Sequence, residues 1–327
     1  MIERAYIKLY KSGDLIKRAA SLKERLYDCD ICPRSCHVNR FDDVRGFCRS
    51  GQLVSVSSYC DHHGEEPALS GTRGSGTIFF NNCNLRCKYC QNHQISQGTD
   101  NRSQTLSSKE LAAIMLHLQN DSRCHNINLV SPSHYVPQII EALCHAIPGG
   151  LHIPLIYNTN GYDAWDTLKM LDGVIDIYLP DLKYATNRYA DEFSNCSNYV
   201  EVSRQALKEM YRQTGNLITD ESGIAQRGLI VRNLILPNGV AGSADSLRWL
   251  ANNISREVTV SIMAQYYPCF LASQEPMISR KITPAEYSEI VKILQELNLE
   301  NGWLQEMDAA EYYLPDFKRK SHPFSIR

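Results

Sequence analysis

The chain lacks a long apolar run. Nowhere do the roughly 18 consecutive apolar residues of a membrane helix occur. The opening "MIERAYIKLYKSGDLIKRA" is polar, charged and helically spaced, unlike a signal core. Charge of one sign is missing too: 34 Lys and Arg against 36 Asp and Glu leave a formal charge of −2. Surfaces that coat nucleic acid carry a basic excess, so that class is disfavoured. No internal repeat or low-complexity segment is evident. These absences predict a cytoplasmic protein with neither membrane nor nucleic acid as partner. A length of 327 residues, 43% of them hydrophobic, suits one large α/β domain with appendages.

What is present in quantity is cysteine, with twelve residues. A reducing compartment disfavours disulfides, so clustered cysteines read as metal or cluster ligands and scattered ones as small buried hydrophobes. Cys124, Cys144, Cys196 and Cys269 are scattered. Cys29, Cys32, Cys36 and Cys48 form one group, with Cys60 beyond it, and Cys83, Cys87 and Cys90 form another.

From Thr77 a rhythm of short β-rich runs begins: 77–80, 127–130, 153–158, 174–179, 229–236 and 258–264. Helical patterns separate several of them. "SSKELAAIMLHL" has Ser107 and Glu110 in capping-box spacing, and "TPAEYSEIVKILQEL" has Thr283, Pro284 and Glu286 likewise. "VPQIIEALCHAI" and "DSLRWLANNI" read as helices too. Alternation of strand and helix predicts parallel strands joined by crossovers, hence an α/β fold with a partly closed, barrel-like parallel sheet. In such sheets ligands gather at the carboxyl ends of the strands. "DHHGEEPALSGTRGSG", ahead of the first of these runs, reads as an irregular connector.

"NNCNLRCKYC" directly follows that first run, which puts three thiols at the ligand-binding face. Thiolates suit zinc or iron–sulfur clusters. A cubane cluster is normally held by four cysteines, so three would leave one iron open for a substrate or cofactor. The alternative is a zinc site completed by a distant residue. Cys83-x3-Cys87-x2-Cys90, with Tyr89 before the last cysteine, resembles the signature of the radical S-adenosylmethionine (SAM) enzymes. That resemblance implies a partial parallel (β/α)6 TIM-like barrel and a [4Fe-4S] cluster whose open iron is chelated by SAM. It also implies reductive cleavage of SAM to a 5′-deoxyadenosyl radical, with an electron donor such as flavodoxin or ferredoxin as partner.

Across roughly residues 75–270, "LIYNTNGYDAWDTLKML", "IDIYLPDLKYAT" and "LIVRNLILPNG" are similar to stretches of the pyruvate formate-lyase activating enzyme branch. The resemblance sets Tyr89, Asn158, Thr159, Asp181, Lys183 and Arg232 beside SAM, with Arg232 toward its carboxylate. Without it, Asp181 and Lys183 read as a surface salt bridge and Arg232 as an ion pair at the sheet edge. The second strand departs from the superfamily's frequent "GGEP" ending. It reads "NLVSPSHYVP", leaving Ser131, Ser133 and carbonyls around Pro132 to accept from the SAM ammonium. His134 reads as a substrate-facing group or as a hydrogen-bonded structural one. "GEEP" at 64–67 lies before the first strand and does not supply the motif.

Cys29-x2-Cys32-x3-Cys36-x11-Cys48 fits a structural zinc site, with an auxiliary iron–sulfur cluster as the alternative and ordinary thiols as the plainest reading. A Gly-assisted turn at Gly46 is expected. Cys60, His62 and His63 are further candidate ligands or exposed connector residues. The domains expected are 1–74 (helix and Cys-rich segment), 75–275 (catalytic core) and 276–327 (helical extension). The function expected is that of a radical SAM enzyme, with a glycyl radical enzyme, another peptide or a small molecule as substrate. The alternative is a non-catalytic zinc or iron–sulfur electron carrier. Substrate contacts are expected from "HYVP", "MAQYYP" and the region of Tyr312 and Tyr313.

Overall fold

A computed structural model describes residues 3–98, 104–307, 314–319 and 323–324, so Tyr312 and Tyr313 lie outside the described residues. All six β-rich runs form strands. They are β2 (Ser75–Phe80), β4 (Ile127–Val130), β5 (Leu155–Thr159), β6 (Ile177–Pro180), β8 (Ala225–Leu234) and β9 (Thr259–Met263). Four further strands are β1 (Val54–His62), β3 (Gln104–Leu106), β7 (Ile218–Thr219) and β10 (Gly302–Leu304). The sheet order is β10-β9-β8-β6-β5-β4-β2-β1-β3, with β7 paired off this path to β8. From β2 through β10 every neighbouring pair is parallel. β1 runs antiparallel to β2 and β3. The ends of the sheet do not meet, so the expected partial barrel is open.

These strands were readable because both faces are covered. β4, β5 and β6 are buried at every position, which makes each a continuous apolar run. The helices Ser108–Asn120 and Pro284–Glu296 begin with the expected capping boxes at Ser107–Glu110 and Thr283–Glu286. Val136–Ala146 and Ser243–Asn253 are helical as expected.

Three expectations need correction. Residues 54–62, expected as Cys-rich loop and connector, form a nine-residue strand, "VSVSSYCDH". Its polar positions hid it, although it alternates toward its end. "PALS", within the supposed connector, is a helical turn, Pro67–Ser70, capped by Gly71. Ala68 and Leu69 pack with Ile156, Ile177, Leu179 and Ile230 inside the sheet's curve, so this turn plugs the barrel interior. Finally, the C-terminal extension is not wholly helical, because β10 adds a seventh parallel strand against β9.

Candidate functional site: a three-thiol cavity

Strand β2 delivers the three-cysteine loop. Its turn uses Asn82 in the left-handed region (φ 71°), and the Asn82 amide donates to the Ile95 carbonyl. The Arg86 and Lys88 amides donate to the Ser194 and Phe193 carbonyls, which pins the loop to the helix Asn187–Ser194. Each sulfur has a polar neighbour. The Cys83 sulfur accepts from the Leu85 amide (3.4 Å) and Asn160 Nδ2 (3.3 Å). Ser194 Oγ donates to the Cys87 sulfur at 3.0 Å, and Ser96 Oγ lies 3.2 Å from that of Cys90. Donors aimed at sulfur favour the thiolate and tune a cluster held there.

Burial pushes all three thiols upward, Cys87 to about 11 and Cys90 to about 12, and the nearby Lys183 ammonium opposes the rise. Two of the thiols also feel others of the set: Cys83 raises Cys87, and Cys87 and Cys83 raise Cys90. Thiols raised in this way need a positive centre to ionise, which is what an iron–sulfur cluster provides. The residues therefore fit the group.

The thiols open into a cavity of about 420 Å³, a size suited to a small-molecule cofactor. Tyr89, Ser131, Asn158, Thr159, Asp181, Lys183 and Arg232 all line it. Asp181 and Lys183 do form an ion pair (2.6 Å), but it faces the cavity, and Lys183 is 16% exposed. Ser131 directly follows β4 and has φ 59°. At the place where the superfamily often has glycines, this chain holds a serine in a conformation that glycine adopts more easily. Its amide is bonded to the Asn158 carbonyl.

Two loops on the cavity wall are locked together. Gly161 has φ 81°, and a Cβ there would meet the Asp181 carbonyl oxygen at 2.3 Å. Glycine is thus required where the "TNG" and "DLK" segments touch. The Tyr199 hydroxyl lies 2.8 Å from the Asn160 carbonyl and 2.9 Å from that of Asp181, and accepts from the Lys183 amide. Behind Thr159, buried Asp163 accepts from the Thr159 hydroxyl (2.6 Å) and the Tyr157 hydroxyl (2.9 Å). Burial raises Asp163, against the pull of the Ser133, Thr159 and Tyr157 hydroxyls. With its hydrogen committed to Asp163, the Thr159 hydroxyl can only accept from a ligand. No local pattern in the sequence signalled Tyr199 or Asp163.

Arg232 meets protein carboxylates in this cavity. Its Nε and Nη2 donate to the two oxygens of Glu66 (2.7 and 2.6 Å), and Nη2 also reaches Glu65. The side chains of Glu65 and Glu66 are 8% and 5% exposed. Both residues line the cavity, so the "GEEP" segment set aside on sequence grounds enters the site from the barrel interior. Burial opposes both charges, but Arg232 draws Glu66 downward and the two glutamates draw Arg232 upward.

Other candidates fall elsewhere. His134 is 2% exposed, lies within 2.9 Å of the Asn81 carbonyl through Nε2, and is lowered to about 3 by burial. It lines the N-terminal cysteine cavity, not the three-thiol one, so it is structural. Ser133 is buried beside Thr159 (3.3 Å) and does not line the cavity. Of "MAQYYP", Met263 and Gln265 line the cavity, whereas Tyr266 is buried and bonded to the Ile278 carbonyl. Cys60 is buried in β1. His62 is buried, lines the cavity and stacks on Phe324. His63 is exposed and lies 3.7 Å from Asp61.

Cys29, Cys32, Cys36 and Cys48 line one small enclosed cavity. Burial and the other three thiols raise Cys32, with Cys48 the strongest of these neighbours. The turn expected at Gly46 is present, its carbonyl accepting from the Arg49 amide at 3.0 Å, and a Cβ there would sit 2.8 Å from both Cys36 Cβ and Cys36 Sγ. Arg86 stands between the two thiol groups, donating to the Cys83 and Phe47 carbonyls.

Residues 77–222 match the model of the Radical SAM superfamily. That stretch holds the three-thiol loop and the Thr159 and Asp181 loops, and the match supports an enzyme of this superfamily, which implies a [4Fe-4S] cluster and SAM. Among relatives, the chain is similar to Uncharacterized protein MJ0674 of Methanocaldococcus jannaschii, at 29% identity over 89% of this chain and 81% of that one. Uncharacterized protein MJ0808 of the same organism is 23% identical over 85% of this chain and 81% of its own. Two solved structures are also similar. HydG, a maturase of the [FeFe]-hydrogenase, has a TM-score of 0.46 at 12% identity, covering 68% of this chain and 48% of HydG. Methylornithine synthase (PylB) has a TM-score of 0.43 at 13% identity, covering 66% of this chain and 60% of PylB. The chain thus spans less than two thirds of each of these two proteins. Among the described residues no helix is long and apolar enough to cross a membrane.

Proposed function

We propose that the protein is a radical SAM enzyme in which Cys83, Cys87 and Cys90 hold a [4Fe-4S] cluster and the adjoining cavity takes SAM. The carrying observation is that the three thiols and all seven candidate cofactor residues line one cavity at the carboxyl ends of parallel strands. When bound and reduced, the pair supplies a 5′-deoxyadenosyl radical for hydrogen abstraction from a substrate. The chain's own residues bind and orient. Thr159 and the turn at Ser131 offer acceptors to the SAM ammonium, while Asp181 accepts from ribose or ammonium groups. Lys183 brings positive charge toward the thiolates. The likeness of the "TNG" and "DLK" segments to the activating-enzyme branch supports a peptide substrate, such as a glycine of a partner enzyme. A flavodoxin- or ferredoxin-type donor would reduce the cluster in the cytoplasm.

The test is anaerobic. Protein loaded with iron and sulfide, reduced and given SAM is expected to form 5′-deoxyadenosine, and a Cys83→Ala, Cys87→Ala, Cys90→Ala variant none. A fully loaded wild type that stays at background refutes the reading.

For the N-terminal four thiols the proposal is a second metal, zinc or an auxiliary cluster, supported by their sharing one enclosed cavity. Metal analysis of a Cys29→Ser, Cys32→Ser variant is expected to lose one metal while the iron of the three-thiol loop stays. Unchanged zinc and iron would remove those residues as ligands.

A further inference from the structure

Part of the cavity wall comes from the end of the chain. Pro315 and Phe324 line the cavity together with the three thiols. Phe317 is 7% exposed and packs with Phe79, Ile95 and Val130 in a cluster apart from the main core. Its ring meets that of Phe79 edge-on, with 5.3 Å between centroids, and its amide donates to Gln94 Oε1 at 2.8 Å. Phe324 stacks on His62 at 4.2 Å and lies 6.1 Å from Phe79. The segment's own backbone is tied to itself. The Asp316 amide donates to the Pro323 carbonyl at 2.7 Å, and the Arg319 amide to the Asp316 carbonyl at 3.2 Å.

This strap lies where a substrate has to go. Phe79 ends just ahead of the three-thiol loop on β2 and lines the cavity with Cys83, Cys87 and Cys90, so a group resting on it sits beside the thiols. A cavity of about 420 Å³ suits one small-molecule ligand. With SAM in it, a peptide finds room only if part of the wall moves. The strap is suited to move. Among the described residues it belongs to no helix or strand, and aromatic contacts supply much of its hold. Segments of this kind open most readily, and active-site lids are drawn from them. Its departure would leave a slot between His62 and Phe79 that fits an aromatic ring, with Gln94 placed to accept from a backbone amide. What fills that slot now is itself a polypeptide.

We infer that the strap occupies the substrate cleft in cis, and that the substrate is a polypeptide whose aromatic side chain takes the His62–Phe79 slot, and whose backbone amide takes Gln94, when the strap withdraws. This rests on the proposed function and narrows its substrate to peptides with a phenylalanine or tyrosine near the reacting position. Until such a peptide arrives, the strap keeps water from the radical-forming site.

The test measures binding, so that it can fail separately from turnover. The probe is a fluorophore-labelled synthetic peptide copying residues 314–327, followed by anisotropy against anaerobic, cluster-loaded, full-length protein with SAM. A second probe carries Phe317→Leu and Phe324→Leu. Phe324→Ala protein, its own strap loosened, is expected to bind the first probe at least tenfold more tightly than wild type does, while iron content and thermal melt report an intact fold. The leucine probe is expected to bind that protein at least tenfold more weakly than the first. Equal affinity of the folded variant and wild type for the first probe overturns the inference, and so does a leucine probe that binds as well. Absence of binding to either protein overturns it too. Hydrogen exchange of the wild type reads the displacement without a variant. The first probe, made with heavy isotopes so that its fragments are told apart by mass, is added at millimolar concentration to compete with a tethered segment. Exchange in the protein's fragment containing Phe317 is expected to speed up at least fivefold. Unchanged exchange overturns the inference even if the variant does not fold. Failure of the wild type to cleave SAM, in contrast, strikes the proposed function and leaves these affinities readable.

Discussion

Tyr199 has one hydroxyl hydrogen, and two backbone carbonyls, Asn160 and Asp181, lie within reach of it. The same oxygen takes the Lys183 amide. Tyr199→Phe removes all of this at zero exposure. Buried backbone groups left without partners cost about 1–3 kcal/mol. The variant is expected to lose about that much stability, read as a lower urea midpoint at unchanged slope, and to bind SAM more weakly. The contrast with the signature residues is instructive. Cys83, Cys87 and Cys90 were legible because a short spacing carries their chemistry. Tyr199 was not, because one tyrosine opening a helix looks like any other. Glu65 and Glu66 were misplaced for a related reason: Arg232 lies 166 residues from Glu66 along the chain, and no local pattern spans such a gap.

Among elements, legibility followed burial and length. Parallel strands covered on both faces read as apolar runs, and helices announced themselves through their first turn. β1 and β10 escaped, one through its polar positions and the other because three residues leave no periodicity to read. The box that opens Pro284–Glu296 also ties elements together. Glu286 accepts from the Thr283 and Asn238 amides and from Arg280. The Arg280 guanidinium is the main cause holding Glu286 down at about 2, against an ordinary 4.5. A carboxylate depressed on folding contributes its stability in full above the ordinary value and loses it as the pH falls toward the folded one. Glu286→Gln is thus expected to be less stable than wild type near neutral pH. The two should converge between pH 4.5 and about 2, as thermal melts across that range would register.

On the scale of the molecule, the sheet's order gives the two ends of the cavity different histories. The Thr159–Asp181–Tyr199 wall draws on β5, β6 and the helix Tyr199–Thr214, all within 60 residues of chain. The acidic end needs β1's exit to meet β8 across 166 residues. Contacts between near neighbours in the chain form sooner than distant ones, because loop closure costs entropy. Refolding is therefore expected to build the Thr159–Asp181–Tyr199 wall first and to seat Arg232 between its glutamates late. Pulse-labelled hydrogen exchange should see the Lys183 amide protected before the Val231 and Asn233 amides that flank Arg232. Simultaneous protection would contradict this order. During that interval Glu65 and Glu66 face water without their guanidinium, so the half-built barrel should refold more slowly at high ionic strength, where the attraction that draws Arg232 in is screened.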